Sequence, residues 1–370
     1  MLRGGGSRLS RPDTTALPSI SPGGDPWTAA SRTAAQPHSS RSAMKEWAVI
    51  SVLVLQSVHG ILCGPAHREE HNSTRRYRSG GFPKFPTLAD DLGEPAAACG
   101  TRAVEHQPPR AGAPAPKVVG GVAARYGAYP WTAEIQVYRA ASRQHTHQCG
   151  GALIGARLVV TAAHCVQGES PDRLRVVLGE HRLGAWDPHE QVFKVDKVVS
   201  HPSFRKAGTY SHDIAVARLK AAGGRGAQFG PKVRPICLPE RGAAGPDGMW
   251  CVVTGWGAQN PEDVQTQSEE LHAAAVSLLN LDVCRDDAVY GGRRQSILDS
   301  MLCAGVLEGG VDACGGDSGG PLACEMRGKF MLMGLVSWGD GCAKKNRPGV
   351  YTRISYYVDW INEVSKQLAN

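Results

Sequence analysis

Nine of the eleven cysteines in this chain lie between Cys149 and Cys342, and this clustering constrains the fold more than any other feature of the sequence. No Cys-X-X-Cys pair and no zinc-type spacing of cysteine and histidine occurs, so disulfides explain the cysteines better than metal ligands do. Disulfides form and persist in oxidising compartments. The chain is therefore expected to be secreted and extracellular, with a fold that disulfides stabilise.

Beyond Lys117 the chain consists of short apolar runs, rich in β-branched residues, between turns of Gly, Pro, Asp and Asn. Representative runs are Leu158–Val160, Leu174–Leu178, Val192–Val195 and Met331–Val336. Strands at this spacing are typical of all-β sandwiches and barrels. Apolar residues at helical spacing predict one helix near the end of the chain, over Ser355–Leu368.

The first 117 residues have a different character. Met44 and Lys45 precede a short apolar run and predict a secretory signal peptide over residues 44–63, with residues 1–43 as a leader before it. The run is far shorter than the ~20 residues of a membrane helix, so no membrane anchor is expected. Residues 64–117 are rich in Pro and Gly without apolar periodicity, which predicts a disordered propeptide or light chain. Its Asn72-Ser73-Thr74 is a glycosylation sequon.

The net charge of +7 does not indicate a nucleic-acid partner. Most of the excess positive charge lies in residues 1–117, and the basic residues beyond them are nearly balanced by acidic ones. No pattern of interleaved aromatic and basic residues appears. Binding to nucleic acid is therefore not expected.

Three short segments carry the residue types of nucleophilic catalysis. Ser318 lies in a glycine-rich stretch, Gly316–Pro321, where backbone amides can approach a developing oxyanion. A serine hydroxyl needs a base, and His164 follows an apolar strand. Asp213 opens another apolar run, where a buried carboxylate needs a partner such as an imidazole N–H.

These segments, in the order His, Asp, Ser, resemble those of trypsin-like serine proteases of the chymotrypsin fold, the S1 family. The resemblance covers residues 118–370, and it is strongest to secreted modular proteases of the neurotrypsin and hepatocyte growth factor activator kind. Further matching motifs are Val118–Gly121, Tyr129–Trp131, Cys149–Gly151, Cys237–Pro239, Gly255–Gly257, Met301–Gly305, Ser337–Gly339 and Pro348–Thr352. The resemblance implies two six-stranded antiparallel β-barrels with the active site between them and a C-terminal helix.

By the same resemblance, His164 acts as general base and then general acid, and Asp213 orients it. Ser318 attacks the scissile carbonyl and forms an acyl-enzyme. The amides of Gly316 and Ser318 form the oxyanion hole. This chemistry requires no metal and no cofactor.

Specificity is expected to come from Asp312, which the resemblance puts at the floor of the primary pocket, where a carboxylate calls for a cationic side chain. Gly339 and Gly349 match the pocket walls and leave room for Arg or Lys. Ala313 stands where trypsin has Ser, so an ammonium loses a hydrogen-bond partner while a guanidinium can still fork onto Asp312. Arg is therefore expected to be preferred over Lys. The edge that pairs with the substrate backbone is expected to be Ser337, Trp338 and Gly339.

The resemblance also implies a zymogen. Cleavage after Lys117 by a trypsin-like protease, or by this chain itself, would free the amine of Val118. In the family this amine inserts against the aspartate beside the nucleophile, here Asp317, and orders the pocket and the oxyanion hole.

The family pattern further implies five disulfides. Cys63 is left over, and it is either lost with the signal peptide or retained as a free or intermolecular thiol. The implied pairs are Cys149–Cys165, Cys251–Cys324, Cys284–Cys303, Cys314–Cys342 and, tethering the light chain, Cys99–Cys237.

The acidic loop Glu180–Glu190, with Asp187, has two interpretations. By the resemblance it either holds a structural Ca²⁺ or is a solvated acidic loop.

Extra residues relative to a minimal trypsin are expected in surface loops at Tyr138–Gln148, Ala221–Phe229 and Arg241–Met249. Partners are expected to be protein substrates with exposed Arg or Lys and inhibitors of the serpin or Kunitz type. The alternatives to a protease are a catalytically inactive homologue and an esterase.

Overall fold

The computed structural model describes residues 98–110, 121–260, 263, 266–293 and 295–369. No helix among these residues is long and apolar enough to cross a membrane. The strands are β1 (Gly121–Ala123), β2 (Thr132–Arg139), β3 (Gln144–Gly155), β4 (Leu158–Thr161), β5 (Leu174–Leu178), β6 (Gln191–Ser200), β7 (Ala215–Leu219), β8 (Trp250–Gly255), β9 (His272–Leu279), β10 (Met301–Gly305), β11 (Pro321–Met326), β12 (Lys329–Trp338) and β13 (Gly349–Arg353). The helices are α1 (Ala163–Val166), α2 (Leu281–Arg285) and α3 (Ile354–Ala369), with a 3₁₀ turn at Pro171–Arg173.

Strands β2 to β7 close into an antiparallel barrel in the order β2-β3-β4-β7-β6-β5. In β2, alternate residues Ala133, Ile135 and Val137 face the barrel core and are at most 1% exposed. Their period of two matches the geometry of a strand with one face in a core. The other face of β2 is also buried, which alternation alone does not predict.

The second barrel consists of the six strands β8 to β13. They pair in the order β9-β10-β13-β12-β11-β8, and a β8–β9 pairing closes the circle, with β1 added to β9. All of these pairings are antiparallel. The predicted all-β fold of two six-stranded barrels is confirmed.

Helix α3 confirms the predicted terminal helix and begins and ends one residue beyond it. Its apolar stripe of Tyr357, Ile361, Val364 and Leu368 joins the core cluster that contains Trp131 and Trp256. Burial of this stripe, rather than intrinsic helix propensity, is what holds such a helix on its domain.

The prediction of a surface loop is wrong for one segment. Tyr138–Gln148 is mostly a β-hairpin, because β2 extends to Arg139 and β3 begins at Gln144. Tyr138 lies opposite His145 and Arg139 opposite Gln144. Only four residues connect them, so most of this segment belongs to two paired strands of the first barrel.

Among the residues that the structure describes, five disulfides join ten cysteines, and they are the five pairs that the resemblance implies. Four of them lie within the barrels and their loops, and the fifth ties residue 99 of the upstream segment to residue 237. The pairs are Cys99–Cys237, Cys149–Cys165, Cys251–Cys324, Cys284–Cys303 and Cys314–Cys342.

Candidate active site

A cleft of about 300 Å³ is lined by residues of both barrels. The first barrel contributes His164, on α1 directly after β4, and Tyr210, between β6 and β7. The second barrel contributes Ser318, from the loop that precedes β11, and all of the predicted substrate-binding residues. Those residues are Asp312, Ser337, Trp338, Gly339 and Gly349.

Asp213 and His164 form a buried, oriented pair. The Asp213 side chain is fully buried, whereas that of His164 is 20% exposed and faces the cleft. One carboxylate oxygen accepts the backbone N–H of His164 at 2.9 Å, and the other lies 2.7 Å from Nδ1. Because an ionised carboxylate only accepts, Nδ1 carries a hydrogen and Nε2 is left free to take a proton.

Two further hydroxyl groups fix Asp213. Ser337 donates from Oγ at 2.6 Å to the carboxylate oxygen that faces Nδ1 of His164. Thr352 donates from Oγ1 to the backbone carbonyl of Asp213 at 2.7 Å. The Ser337 bond helps to satisfy a carboxylate that would be costly to bury alone, and the Thr352 bond holds the backbone of the same residue. They come from β12 and β13, so the second barrel holds a residue of the first.

The Ser318 loop is shaped by glycines. Gly316 and Gly319 have φ of 99° and 77°, values that side-chain-bearing residues rarely adopt. A Cβ on Gly319 would lie 2.2 Å from Thr161 Oγ1. Ser318 Oγ makes no hydrogen bond to His164 among the described residues, and such contacts are often long in the absence of substrate.

The backbone amides of Gly316 and Ser318 have no acceptor within the part of the chain that the structure describes. The carbonyl of Gly315 accepts from the Ala258 amide at 2.7 Å. Because the carbonyl and N–H of a trans peptide point in opposite directions, this bond orients the Gly316 N–H from the N-terminal side of that residue. The loop therefore presents two free donors beside the serine.

Asp312 lines the same cleft and is 6% exposed. Its carboxylate accepts the amides of Ala313 at 2.8 Å and Ala343 at 3.3 Å. Burial raises the pKa of Asp312 to about 7. A Cβ on Gly349 would lie 2.7 Å from Asp312 Oδ1, so a glycine here keeps the carboxylate accessible. None of the ion pairs among the described residues includes Asp312, which leaves its charge for a ligand.

Comparison with known families agrees with this geometry. The family model described as Trypsin matches residues 118–361. The chain belongs to the trypsin family. The predicted family is thereby confirmed, and the fold is the one that the resemblance implies.

Relatives in the trypsin family match the same part of the chain. The urokinase-type plasminogen activator of Gallus gallus is 42% identical over 252 residues, which are 66% of this chain and 57% of that protein. The hepatocyte growth factor activator serine protease of Mus musculus is 41% identical over 249 residues, 67% of this chain and 36% of that protein. Coagulation factor XII of Rattus norvegicus is 41% identical over 251 residues, which are 67% of this chain and 40% of that protein. The chain thus spans roughly one third to just over half of these relatives.

Of the predicted activation residues, only Asp317 is described, since Lys117 and Val118 lie outside the described residues, as do Asn72 and Cys63. The Asp317 carboxylate accepts the amides of Gly257 and Cys314, each at 2.8 Å. Burial raises its pKa. It borders a small cavity of about 30 Å³ beside β1 and the Gly255–Gly257 segment.

The acidic loop of this trypsin-family chain brings three carboxylates together. Oxygen atoms of Glu180, Asp187 and Glu190 lie within 4.8 Å of one another. Each of these groups accepts a backbone amide: His181 donates to Glu180 and to Asp187, and Asp187 donates to Glu190. Burial, followed by the nearby carboxylates, raises the pKa of Glu180 to about 8.

The sequence did not point to several residues that support the site. Tyr210 lies edge-on to His164, with ring centroids 5.8 Å apart, and stacks on Trp338 at 6.1 Å. Thr352 holds Asp213, as described above. On β2 and β3, Glu134 and His147 are buried behind the Ser318 loop. Glu134 lies on the face of β2 opposite to the core residues of the first barrel, where the second barrel's Ser318 loop packs.

Proposed function

We propose that this chain is a secreted serine endopeptidase zymogen that hydrolyses peptide bonds after Arg, and less readily after Lys. The observation that carries the proposal is the oriented Asp213–His164 pair, which shares a cleft with Ser318 and with a buried, ion-pair-free carboxylate at Asp312. A pair of this kind activates a serine hydroxyl. A buried carboxylate in the cleft selects a cationic side chain.

In the proposed reaction, Ser318 Oγ attacks the scissile carbonyl while its proton passes to His164 Nε2. The negative charge on the carbonyl oxygen is stabilised by the amides of Gly316 and Ser318. Loss of one such donor typically costs about 10²–10³-fold in rate. The imidazolium then gives its proton to the leaving amine, and water hydrolyses the acyl-enzyme by the same steps. The chain's own residues supply every proton transfer, so the reaction needs no cofactor.

Substrate binding extends along the edge formed by Ser337, Trp338 and Gly339, where an extended peptide can pair as an added strand. Proteins with exposed Arg or Lys are the proposed substrates, and serpin or Kunitz-type proteins the proposed inhibitors. Ala313 offers no hydroxyl to a lysine ammonium, which favours Arg.

Activation is proposed to follow cleavage after Lys117. The new amine of Val118 would form an ion pair with Asp317, whose buried carboxylate borders a cavity and has only amide partners among the described residues. A buried carboxylate with a raised pKa gains most from a cationic partner. An activating trypsin-like protease, or this enzyme itself, would make the cut.

The test is to express the chain from Met44, treat the secreted product with a trace of trypsin-like activator, and assay peptide amides ending in Arg, Lys or Phe. Activity is expected only after cleavage at Lys117, on Arg above Lys and not on Phe. Ser318→Ala serves as the matched control and should be inactive. A cleaved wild type with a correct Val118 terminus that turns over no amide and resists an active-site phosphonate would refute the enzyme and favour a catalytically inactive homologue.

A further inference from the structure

A second carboxylate–imidazole pair lies behind the Ser318 loop, outside the cleft. Glu134 Oε1 lies 3.2 Å from Nδ1 of His147, and the two side chains are 1% and 4% exposed. The other ring nitrogen, Nε2, lies 3.0 Å from the carbonyl oxygen of Gly316. A buried ionisable pair thus contacts the residue whose amide is proposed to bind the oxyanion.

An irregularity in the first barrel brings the pair together. Between β2 and β3 the register shifts, so that Ile135 faces Cys149 while Gln136 faces His147, and Gln148 has no partner on β2. Such a bulge reverses which face the following residues occupy. His147 therefore lies on the same face of the sheet as Glu134 and Gln136, towards the second barrel.

The hydrogen-bond partners fix the protons in this cluster. A carbonyl can only accept, so Nε2 of His147 carries a hydrogen and donates to Gly316. Gln136 donates from Nε2 to Glu134 Oε2 at 2.6 Å. One proton is then left between Oε1 of Glu134 and Nδ1 of His147. Every polar atom of the pair is satisfied, and buried networks satisfied in this way rigidify their surroundings.

The hydrogen bond from His147 holds the peptide between Gly316 and Asp317, which directly follows the Gly316 amide that is proposed to bind the oxyanion. That peptide is bonded at both ends: its carbonyl accepts from His147, and its N–H, on Asp317, donates to the Cys314 carbonyl at 3.0 Å. Gly316 has no Cβ and a φ of 99°, so its own sterics do not fix its conformation. External hydrogen bonds must supply the rigidity that an oxyanion hole requires.

We propose that Glu134 and His147 are positioning residues that hold the Gly316 peptide, so that the Gly316 amide stays aimed at the oxyanion. The pair acts through Gly316 and touches no substrate. This inference rests on the proposed endopeptidase function, and it adds two residues of the first barrel to the machinery of a loop in the second.

Two substitutions of His147 separate its two bonds. Gln can place its amide nitrogen near the position of Nε2 and keep the bond to Gly316, whereas Asn can place its amide nitrogen near Nδ1 and bond Glu134 alone. Both keep a polar group in the buried space. Glu134→Ala and Glu134→Gln form the second pair, since Gln can still hydrogen-bond the imidazole and Ala cannot.

The readouts are kcat and KM on an Arg peptide amide, together with Ki values for benzamidine and for a peptide argininal. Benzamidine occupies only the Asp312 pocket, whereas the argininal forms a hemiacetal whose oxygen uses the oxyanion hole. We expect His147→Asn and Glu134→Ala to lower kcat and to raise the Ki of the argininal, each by roughly 10- to 100-fold. Benzamidine Ki and KM should stay within about threefold, as should every readout for His147→Gln and Glu134→Gln.

Three outcomes would overturn the inference. Unchanged kcat and argininal Ki in His147→Asn would show that the pair does not hold the oxyanion hole. Equal weakening of benzamidine and argininal would show that the pair supports the whole pocket and nothing more specific. Inactive wild-type enzyme with a correct Val118 terminus would overturn the proposed function itself, and the role of the pair with it, which distinguishes that failure from the other two.

Discussion

At the scale of single residues, Asp312 carries a prediction about pH. Its pKa is raised to about 7 by burial, and a bound cation needs the ionised form. Below pH 7 the pocket must lose a proton before it binds, so affinity for a cation falls by about tenfold per pH unit. We expect the Ki of benzamidine to be constant above pH 8 and to rise in this way between pH 7 and pH 5.5.

The measurement is competitive inhibition at a series of pH values. Asp312→Asn provides the control, since its weak binding should not change with pH in this range. A wild-type Ki that stays constant down to pH 5.5 would contradict the prediction, because it would mean that burial does not raise the pKa of Asp312.

Ala313 carries the prediction about Arg against Lys. Ala313→Ser adds a hydroxyl beside the Asp312 carboxylate, and a hydrogen bond to a charged group contributes about 1.5–3 kcal/mol. We expect the ratio of kcat/KM for Lys over Arg substrates to rise about tenfold. Ala313→Gly, which adds no hydroxyl, should leave the ratio unchanged, and a similar ratio in Ala313→Ser and wild type would contradict the proposed basis of Arg preference.

The sequence revealed the residues whose motifs carry their own chemical demand. Ser318 lies among glycines, and Asp213 opens an apolar run where a lone carboxylate is costly. Hydroxyl contacts such as that of Ser337 to Asp213 were not predictable, because Ser337 lies 124 residues away and its hydroxyl direction depends on how the barrels meet. The predicted backbone role of Ser337 remains a prediction.

At the scale of elements, β2 shows where a sequence pattern stops being informative. Its alternate residues Ala133 and Ile135 lie in the core of the first barrel, as the period of a strand requires. The same alternation puts Glu134 and Gln136 in solvent, yet both are at most 8% exposed. A strand pattern describes the sheet it belongs to, and it contains no information about a second barrel packed on the other face.

The loop between β5 and β6 carries a prediction about stability. The pKa of Glu180 is raised from 4.5 to about 8, so the folded protein keeps a proton that the unfolded chain loses between these values. Stability therefore falls as pH rises from 4.5 to 8. Glu180→Gln removes this loss. Its Tm should match that of wild type near pH 5 and exceed it by a few degrees at pH 8.

Thermal melts in EDTA at several pH values test this prediction, with Ser318→Ala as the background to prevent self-digestion. Glu325→Gln, at an exposed glutamate of β11, is the control whose difference from wild type should not change between pH 5 and pH 8. Equal melting curves of Glu180→Gln and wild type at pH 8 would contradict the prediction. Repeating the melts with Ca²⁺ tests the ion site that the resemblance allows, since Ca²⁺ would stabilise wild type at pH 8 more than Glu180→Gln.

At the scale of the whole molecule, two closed barrels share one site, and each supplies part of it. His164 and Asp213 come from the first barrel, while Ser318 and Asp312 come from the second. The hydroxyl groups of Ser337 and Thr352 and the pair Glu134–His147 cross the boundary in both directions. The relative position of the barrels is therefore fixed by polar contacts at the site, as well as by apolar packing away from it.

The segment 98–110 is attached to the second barrel by more than its disulfide. Gly100 donates to the Pro235 carbonyl at 2.8 Å and accepts from the Phe330 amide at 2.9 Å. The guanidinium of Arg102 lies 4.6 Å from the centroid of the Phe330 ring, a cation–π contact. These bonds, together with the disulfide, give the segment a defined place on the second barrel.

The Cys99–Cys237 disulfide tethers this segment covalently. The bond between Cys99 and Cys237 closes a loop of 138 residues, and disulfides typically contribute about 2–4 kcal/mol. In the uncut protein, replacing both cysteines by Ser should lower the Tm by roughly 5–15 °C. After cleavage at Lys117, the wild type should run as one species on a non-reducing denaturing gel, and the double variant as two.

Arg102→Ala is the matched control, because it removes the cation–π contact and leaves the disulfide in place. It should still run as one species after cleavage, with only a small change in Tm. Wild type that separates into two pieces without reducing agent would refute the tether. If the uncut double variant has the same Tm as the uncut wild type, the hydrogen bonds of Gly100 and the contacts of Arg102 suffice to hold the segment. This conclusion follows because only the covalent link differs between the two proteins.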